Sequence, residues 1–514
     1  MVRILAVTGC PGPTFGRVEN AAWTHLCEES PETINKFSRR SWRRTAGSAR
    51  LLGPVLAVAT AIVLAWWVVS LPRQGIVPLA AAVVGVGMLA LIAGKVVPRP
   101  HPGIGLALLV AAVPLRSLLE GSLAGFRVGI TEPLALLALF WMIAFRQPGS
   151  LHLSRLLIVA GLFFGYVAIS ASWAAAPDQS LKEVAKWGQV AIALVAAMDL
   201  ARRPADLKPV VLAAGLVVGA EALFAGVRSV LAIGPESFRV GGIARAYGTF
   251  EQPNPFAGYL ALHLPFALAA FTVWRGKRRW ASSIVVGLIL AGIVLSLSRG
   301  AWLAGIAGSL TVFWLAGRYV PLTLKRMALA VVLVAATLLL VAGRSVAPGP
   351  ALSVLSGEKD VIEIASNPGD ADFAITQRIA FWVAGARMVA DRPLTGVGAG
   401  NFDERYPDYN IGIWGESLGH AHNLYLNLAA ETGLIGAGLF VVFLAGVLAK
   451  AVRFKPKSQL EQILMAGAAG SLIAFSIHNL VDSMFVGGLG IIFGVSVGLV
   501  LALSAPAPVD RVRL

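Results

Sequence analysis

The sequence predicts an all-α polytopic membrane protein with about 12–14 transmembrane helices and a long structured outer loop. Three observations carry this reading. Only 14% of the 514 residues are charged and 57% are hydrophobic, against about 25% charged in soluble proteins. Apolar runs such as 51–71 and 280–297 reach the roughly 17–25 residues that a helix needs to cross a bilayer. They are apolar on every side, so they are not amphipathic surface helices. The basic residues gather in every second connection, as the positive-inside rule requires.

Residues 1–50 are polar and basic, with Arg39, Arg40, Arg43, Arg44 and Arg50 ahead of the first apolar run. The composition predicts a disordered cytoplasmic tail. It also holds both cysteines, Cys10 and Cys27, so no disulfide framework is expected in the membrane domain. Spans are expected near 51–72, 76–97, 103–119, 128–145, 155–174, 185–200, 208–232, 255–274, 281–298, 301–317, 324–343, 423–449, 460–479 and 486–505. With the tail inside, basic loops fall inside at Lys95/Arg99, Arg202/Arg203/Lys208, Arg275/Lys277/Arg278/Arg279 and Lys450/Arg453/Lys455/Lys457, among others. Most of the 43 Lys and Arg residues then lie inside, while most of the 27 acids lie outside or within spans. Both termini are expected in the cytoplasm. The net charge of +16 reads as attraction to the anionic inner leaflet and not as a nucleic-acid footprint.

Four segments follow: the tail 1–50, N-terminal helices over 51–232, a core over 233–450 that includes the outer loop 344–422, and C-terminal helices with a short tail over 451–514. A structureless loop as long as 344–422 is uncommon in a compact domain. Within it Ile375, Ile379, Trp382, Val383 and Ala386 recur at helical spacing up to Asp391-Arg392-Pro393. This predicts a short amphipathic helix suited to the outer membrane surface.

The polar clusters fall on the outer face. Arg239 and Arg245 precede Tyr247-Gly-Thr-Phe-Glu-Gln-Pro-Asn254-Pro. Arg299 ends the ninth span, Arg378 sits on the loop helix, and His420-Ala-His422-Asn423 opens the twelfth span. Charges near membrane depth are costly and mark functional sites. Guanidinium groups match phosphate oxygens, and histidine accepts a proton near neutral pH. Arg and His at an outer face thus fit a phosphate-linked lipid donor and a hydroxyl acceptor. Plainer readings stand beside this one. Arg299 also fits snorkelling to headgroups, Arg239 a solvated loop residue, and Asn254 a turn. His420 and His422 fit helix-capping residues, and Glu431 a partner for an outer Arg or for backbone. His478 and Asp482 read as interfacial. No metal motif such as HExxH occurs, so no metal or other cofactor is expected.

The stretch 392–436 resembles the O-antigen ligase and polymerase superfamily of bacterial envelope glycosyltransferases. The residues that carry this are Arg392-Pro-Leu-Thr-Gly-Val-Gly-Ala-Gly-Asn-Phe, His420-Ala-His422-Asn-Leu-Tyr-Leu-Asn and Glu431-Thr-Gly-Leu-Ile-Gly. Arg245 with Tyr247-Gly-Thr-Phe and Pro253-Asn254, and Ser296-Leu-Ser-Arg299-Gly, extend the likeness. The resemblance implies a metal-independent, GT-C-like enzyme of the bacterial inner membrane, active in lipopolysaccharide or other envelope-polysaccharide biosynthesis. It would take a glycan from an undecaprenyl-diphosphate donor at the periplasmic face. The acceptor would be a hydroxyl of a glycan, lipid or protein. By the same resemblance His422 is the candidate general base, and Arg245 and Arg299 are the candidate arginines for the diphosphate. Arg378, Asn254, His420, Asn423 and Glu431 are candidate substrate-binding residues. An alternative is a transporter of a small anion such as bicarbonate, which would place polar groups near the midplane. Glu221, near the middle of the seventh span, keeps that reading open.

Overall fold

The computed structural model describes residues 101–123, 126–145, 154–240, 242–317 and 373–505. The tail 1–50 and the expected spans 51–72, 76–97 and 324–343 lie outside these residues. Each of the other expected spans is a helix. They are α1 (Ile104–Ala112), α2 (Thr131–Phe145), α3 (Arg155–Ser170), α4 (Pro177–Ala201), α5 (Lys208–Val230), α6 (Pro253–Val273), α7 (Gly276–Leu295) and α8 (Arg299–Leu315). After the loop helix α9 (Phe373–Asp391) and a short turn α10 (Phe402–Arg405) come α11 (Leu424–Arg453), α12 (Gln459–His478) and α13 (Leu489–Leu503). Two small antiparallel hairpins complete the described chain, β1/β2 (Glu120–Leu123, Phe126–Gly129) and β3/β4 (Arg239–Val240, Ile243–Ala244). Seven of the helices are long and apolar enough to cross a membrane, and the protein is a multi-pass, all-α membrane protein.

Helix starts follow local chemistry. Ser154 and Ser458 cap α3 and α12 by accepting from Leu157 N and Glu461 N. Glu461 in turn accepts from Lys457 N at 2.8 Å, so two otherwise orphaned donors are satisfied together.

Helix packing depends on small residues. Along α13, Gly490, Gly494 and Gly498 recur every fourth position. A Cβ at Gly494 would lie 2.5 Å from Val190 O of α4, and one at Gly498 would lie 2.3 Å from Leu194 O. The α4 and α13 backbones therefore touch directly, the packing that small residues permit in lipid. At a second crossing, Gly308 of α8 and Gly470 of α12 close around Pro265 of α6. α6 is almost wholly buried and forms the centre of the bundle.

The helix ends sort into two sets. At one end Thr249 Oγ1 donates to Pro114 O, Trp173 Nε1 to Thr395 O, and Asn254 Nδ2 to Asp482 Oδ2. At the other, Trp141 Nε1 donates to His101 O, Gly103 packs on Asp206 O, and Gln462 Nε2 donates to Leu315 O. The described helices run back and forth between these ends, in the alternation that the charge pattern requires.

α9 forms where the spacing predicts it, and its buried side takes in Ile379 and Val383, packed against Ile411 and Trp414, but it is centred elsewhere. Phe381, Ala384 and Met388 are fully buried against α11 and the 397–406 stretch, while Ala386 is exposed. This face of the helix docks on protein. Phe381 also packs edge-on against Tyr406, with ring centroids 5.4 Å apart.

Candidate active site

The site is built on the turn between α12 and α13. Asn479 staples this turn: its Oδ1 accepts from Met484 N at 2.7 Å and its Nδ2 donates to Phe475 O at 2.8 Å. Asp482 is thereby held almost fully buried at the end of the bundle. The turn also receives the start of α11. Leu424 N donates to Asn479 O at 3.0 Å, and Asn423 Nδ2 to Leu480 O at 3.1 Å.

These ties fix His422 in a left-handed conformation, φ 50°. Non-glycine residues seldom adopt it, and such strain of about 1–3 kcal/mol persists only where the surroundings impose it. The result is that His422 Nδ1 meets Asp482 Oδ1 at 3.0 Å. A carboxylate partner fixes the proton on Nδ1 and leaves the Nε2 lone pair available. That Nε2 is buried and has no hydrogen-bond partner among the described residues. The ring also stacks on Phe381, with centroids 5.5 Å apart and planes 13° from parallel.

Asp482 is the hub. Its Oδ2 accepts from Asn254 Nδ2 at 3.0 Å and lies 3.9 Å from Arg378 Nη2. Arg378 Nε donates to Val481 O. Asn254 Oδ1 in turn accepts from Arg245 Nη2 at 2.9 Å, and Arg245 Nε donates to Ser296 O at 2.7 Å. Asn254 is thus a relay between Arg245 and Asp482 and more than a turn residue. Asp482 stays ionised well below the usual carboxylate range. Burial alone would raise it, but the His422 hydrogen bond and the charges of His422, His478 and Arg378 hold the anion. Arg245 is shifted down, first by burial and then by the charge of Arg378. Two guanidinium groups converging on one acid leave a surplus of positive charge, which suits a polyanion.

The two histidines differ. His420 Nδ1 accepts from His422 N at 3.1 Å, and the rings are 4.3 Å apart. Burial, followed by the charge of His422, pushes His420 down to about 3. A base so weak is a poor proton acceptor, which separates it from His422. His420, His422 and Asp482 offer potential metal-ligand atoms within 4.8 Å of one another. Both oxygens of Asp482 are, however, engaged by donors: His422 Nδ1 and Ser483 N on one, Asn254 and Arg378 on the other.

Other expected site residues lie apart from this cluster. Arg299 is exposed at the start of α8, and among the described residues nothing bonds its guanidinium. It neighbours the cluster through the chain, since Gly300 packs on the His478 ring. Asn423 caps α11, accepting from Leu426 N at 3.0 Å, and has a structural place. Glu431 is buried beneath the glycine-rich loop. Its carboxylate accepts from Gly400 N at 2.9 Å and from Phe402 N at 3.4 Å. Val397 N and Gly398 N bond the carbonyls of Ala430 and Glu431, and Leu434 N bonds Pro393 O. α11 breaks at Gly433 (φ 66°), where a Cβ would lie 2.1 Å from Leu394 O. The 392–402 and 431–436 motifs are therefore one folded unit. Glu431→Ala leaves the Gly400 and Phe402 N–H groups unpaired, at about 1–3 kcal/mol each. The expected outcome is a melting temperature lowered by several degrees, read by fluorescence-detected gel filtration after heating.

Glu221, the group that favoured a transporter, accepts from Thr249 N at 2.6 Å and holds the 247–250 turn. Arg239 is paired with Glu236 at 3.2 Å on the surface, as a solvated loop residue would be. Sequence reading missed the weight of Asp482. The available signal was His478 and Asp482 four apart at a span end, followed by Gly487-Gly488 in the turn before the next helix.

No curated protein matches the chain. Residues 284–441 match the family model described as O-antigen ligase, a stretch that carries Arg299, Arg378 and His422 but not Arg245, Asn254 or Asp482. That match, within the helical membrane architecture described above, supports membership of the O-antigen ligase superfamily.

Proposed function

We propose that the chain transfers or polymerises a glycan from an undecaprenyl-diphosphate donor at the periplasmic face of a bacterial inner membrane, with both termini in the cytoplasm. In this reading the end carrying Asp482 and His422 is periplasmic. His422 Nε2 takes the proton from the acceptor hydroxyl. The acceptor oxygen bonds the anomeric carbon as the bond from that carbon to the diphosphate oxygen breaks. Undecaprenyl diphosphate leaves with the electron pair. Arg245 and Arg378 would meet its charge, with Arg299 at the rim for its outer phosphate. A diphosphate needs charge stabilisation more than protonation, so fixed cationic donors suffice.

The single observation that carries the reading is the His422–Asp482 pair, with Nε2 unbonded among the described residues and Arg378 facing the same carboxylate. Asp482 is a positioning residue in it. The mutually bonded Arg245, Asn254, Asp482, Arg378 and His422 form the proposed working core, which runs beyond the segment 233–450 by its dependence on Asp482. Complementation of a strain lacking its own envelope-glycan ligase tests it. Restoration of mature glycan is the expected result. Lengthening of the lipid-linked chains without transfer would make the protein a polymerase. No change in any lipid-linked glycan, with the protein in the membrane, would remove the transferase reading.

A further inference from the structure

His420 takes no part in the proton transfer, yet its ring is held against that of His422, with centroids 4.3 Å apart and planes 65° apart. The hydrogen bonds of the two rings set them in opposite tautomers. His420 Nδ1 accepts from His422 N at 3.1 Å. A nitrogen that accepts from a backbone N–H carries no proton, so the single N–H of a neutral His420 ring is at Nε2. His422 Nδ1 meets the Asp482 carboxylate at 3.0 Å, which puts its proton on Nδ1 and its lone pair on Nε2. One ring thus offers a donor at Nε2, and its neighbour offers an acceptor at Nε2. His422 Nε2 has no partner among the described residues, and there the one hydrogen bond of the His420 ring is the bond at Nδ1. His420 is half-buried and follows the exposed Leu418 and Gly419, so a ligand can reach it.

We propose that His420 is an acceptor-binding residue, whose Nε2–H holds a second oxygen of the acceptor beside the hydroxyl that His422 deprotonates. The proposal rests on the transferase reading and narrows it: the acceptor is a sugar with oxygens on neighbouring carbons, not an isolated side-chain hydroxyl of a protein. The O–H of one sugar hydroxyl satisfies the lone pair of His422, and a lone pair of the adjacent oxygen satisfies the N–H of His420. A bond from His420 to the attacking oxygen itself would tie up the lone pair that attacks, so the productive partner is the neighbouring oxygen. A serine or threonine side chain has no such neighbour. The diphosphate is a poorer occupant. Asn254, which carries Arg245, and Arg378 approach Asp482 at Oδ2, whereas the histidines lie at Oδ1. Burial, then the charge of His422, keeps His420 uncharged, down to about 3. A neutral N–H suits a hydroxyl oxygen, while a diphosphate favours charged donors.

Two substitutions separate the Nε2–H from the tie at Nδ1. In His420→Asn the side-chain oxygen can stand where Nδ1 is and accept from His422 N, but nothing reaches the Nε2 position. In His420→Gln the longer amide returns an N–H close to that position. The tautomers are read first, by nitrogen solid-state NMR on the histidine-labelled full chain in proteoliposomes, with His420→Asn and His422→Ala assigning the signals. A neutral ring protonated at Nε2 is expected for His420 at pH 7. A charged ring, or one protonated at Nδ1, overturns the proposal without any turnover, so this failure is distinct from failed complementation. Transfer is then measured from undecaprenyl-diphosphate-linked N-acetylglucosamine to the methyl glycosides of glucose, galactose and N-acetylglucosamine, to their monodeoxy analogues and to a serine peptide. At least one glycoside should accept, and removal of the oxygen beside its reacting hydroxyl should cost the wild type about five- to tenfold in kcat/KM, the worth of one hydrogen bond. His420→Asn should raise the acceptor KM to the same extent, with kcat and the KM of the lipid-linked substrate nearly unchanged, and should no longer distinguish glycoside from deoxy analogue. His420→Gln should recover part of the difference. An equal deoxy penalty in wild type and His420→Asn, a rise confined to the KM of the lipid-linked substrate, or preference for the serine peptide overturns the proposal. So does transfer to no glycoside by a chain that complements. The same result in a chain that does not complement removes the transferase reading instead.

Discussion

His422→Ala lowers glycan transfer by about 10²–10⁴-fold, the range that a positioned general base contributes, with the protein still folded. The imidazole makes one side-chain hydrogen bond, to Asp482, and stacks on Phe381. The left-handed backbone at 422 is imposed by Leu424 N on Asn479 O and by Asn423 Nδ2 on Leu480 O, neither of which the substitution touches. The check is turnover of a lipid-linked donor by purified protein, beside its thermal profile. Transfer within threefold of wild type would remove His422 from the mechanism. His420→Ala is the control. Burial and the His422 charge hold His420 down to about 3, so its loss should cost far less than the loss of His422.

Asp482→Asn is expected to lower turnover on a similar scale, on the order of 10²–10⁴-fold, the upper end being the loss known for the same change in a Ser-His-Asp triad. The isosteric amide keeps the shape of the hub but can turn its NH₂ toward His422 Nδ1. Nδ1 then accepts, the proton moves to Nε2, and the base is lost. The amide also removes the one negative charge between Arg245 and Arg378, so donor affinity changes as well. The distinguishing measurement separates turnover from KM. A positioning role predicts that kcat collapses while the melting temperature moves by only a few degrees. A purely structural role predicts the reverse, unfolding with normal turnover in the surviving fraction. Asp482→Glu should recover part of the rate, because a carboxylate restores the tautomer even from a longer arm.

The helices were legible because a bilayer allows little else. Long apolar runs must satisfy their backbone internally, and the spacing of basic loops orients them. The loop helix was legible for the same periodic reason. The centre of its buried face was not, because Phe381, Ala384 and Met388 are chosen by tertiary contact with α11 and Tyr406. The candidate site was legible in its arginines and in His422, whose chemistry is unusual at membrane depth. Its wiring was not. Asn254, Asp482 and His422 are far apart in sequence, and each alone fits a turn, an interfacial acid or a capping residue. Only the meeting of three turns gives them one role. Glu431 shows the opposite case. An expensive buried acid reads as functional, yet here it holds Gly400 N and Phe402 N and so shapes the loop that precedes the histidines.

The dependence of His422 on Asp482 also sets an order in time. Synthesis places residue 422 in the chain long before residue 482. A nascent chain that has inserted α11 but not the α12–α13 hairpin has an imidazole with no carboxylate opposite it and an Asn254 with one partner fewer. The α4–α13 backbone contact then seats the last described hairpin against a helix made much earlier. Assembly of the centre is thus tied to completion of the bundle, and a chain stalled or cut before α12 should reach the membrane inert.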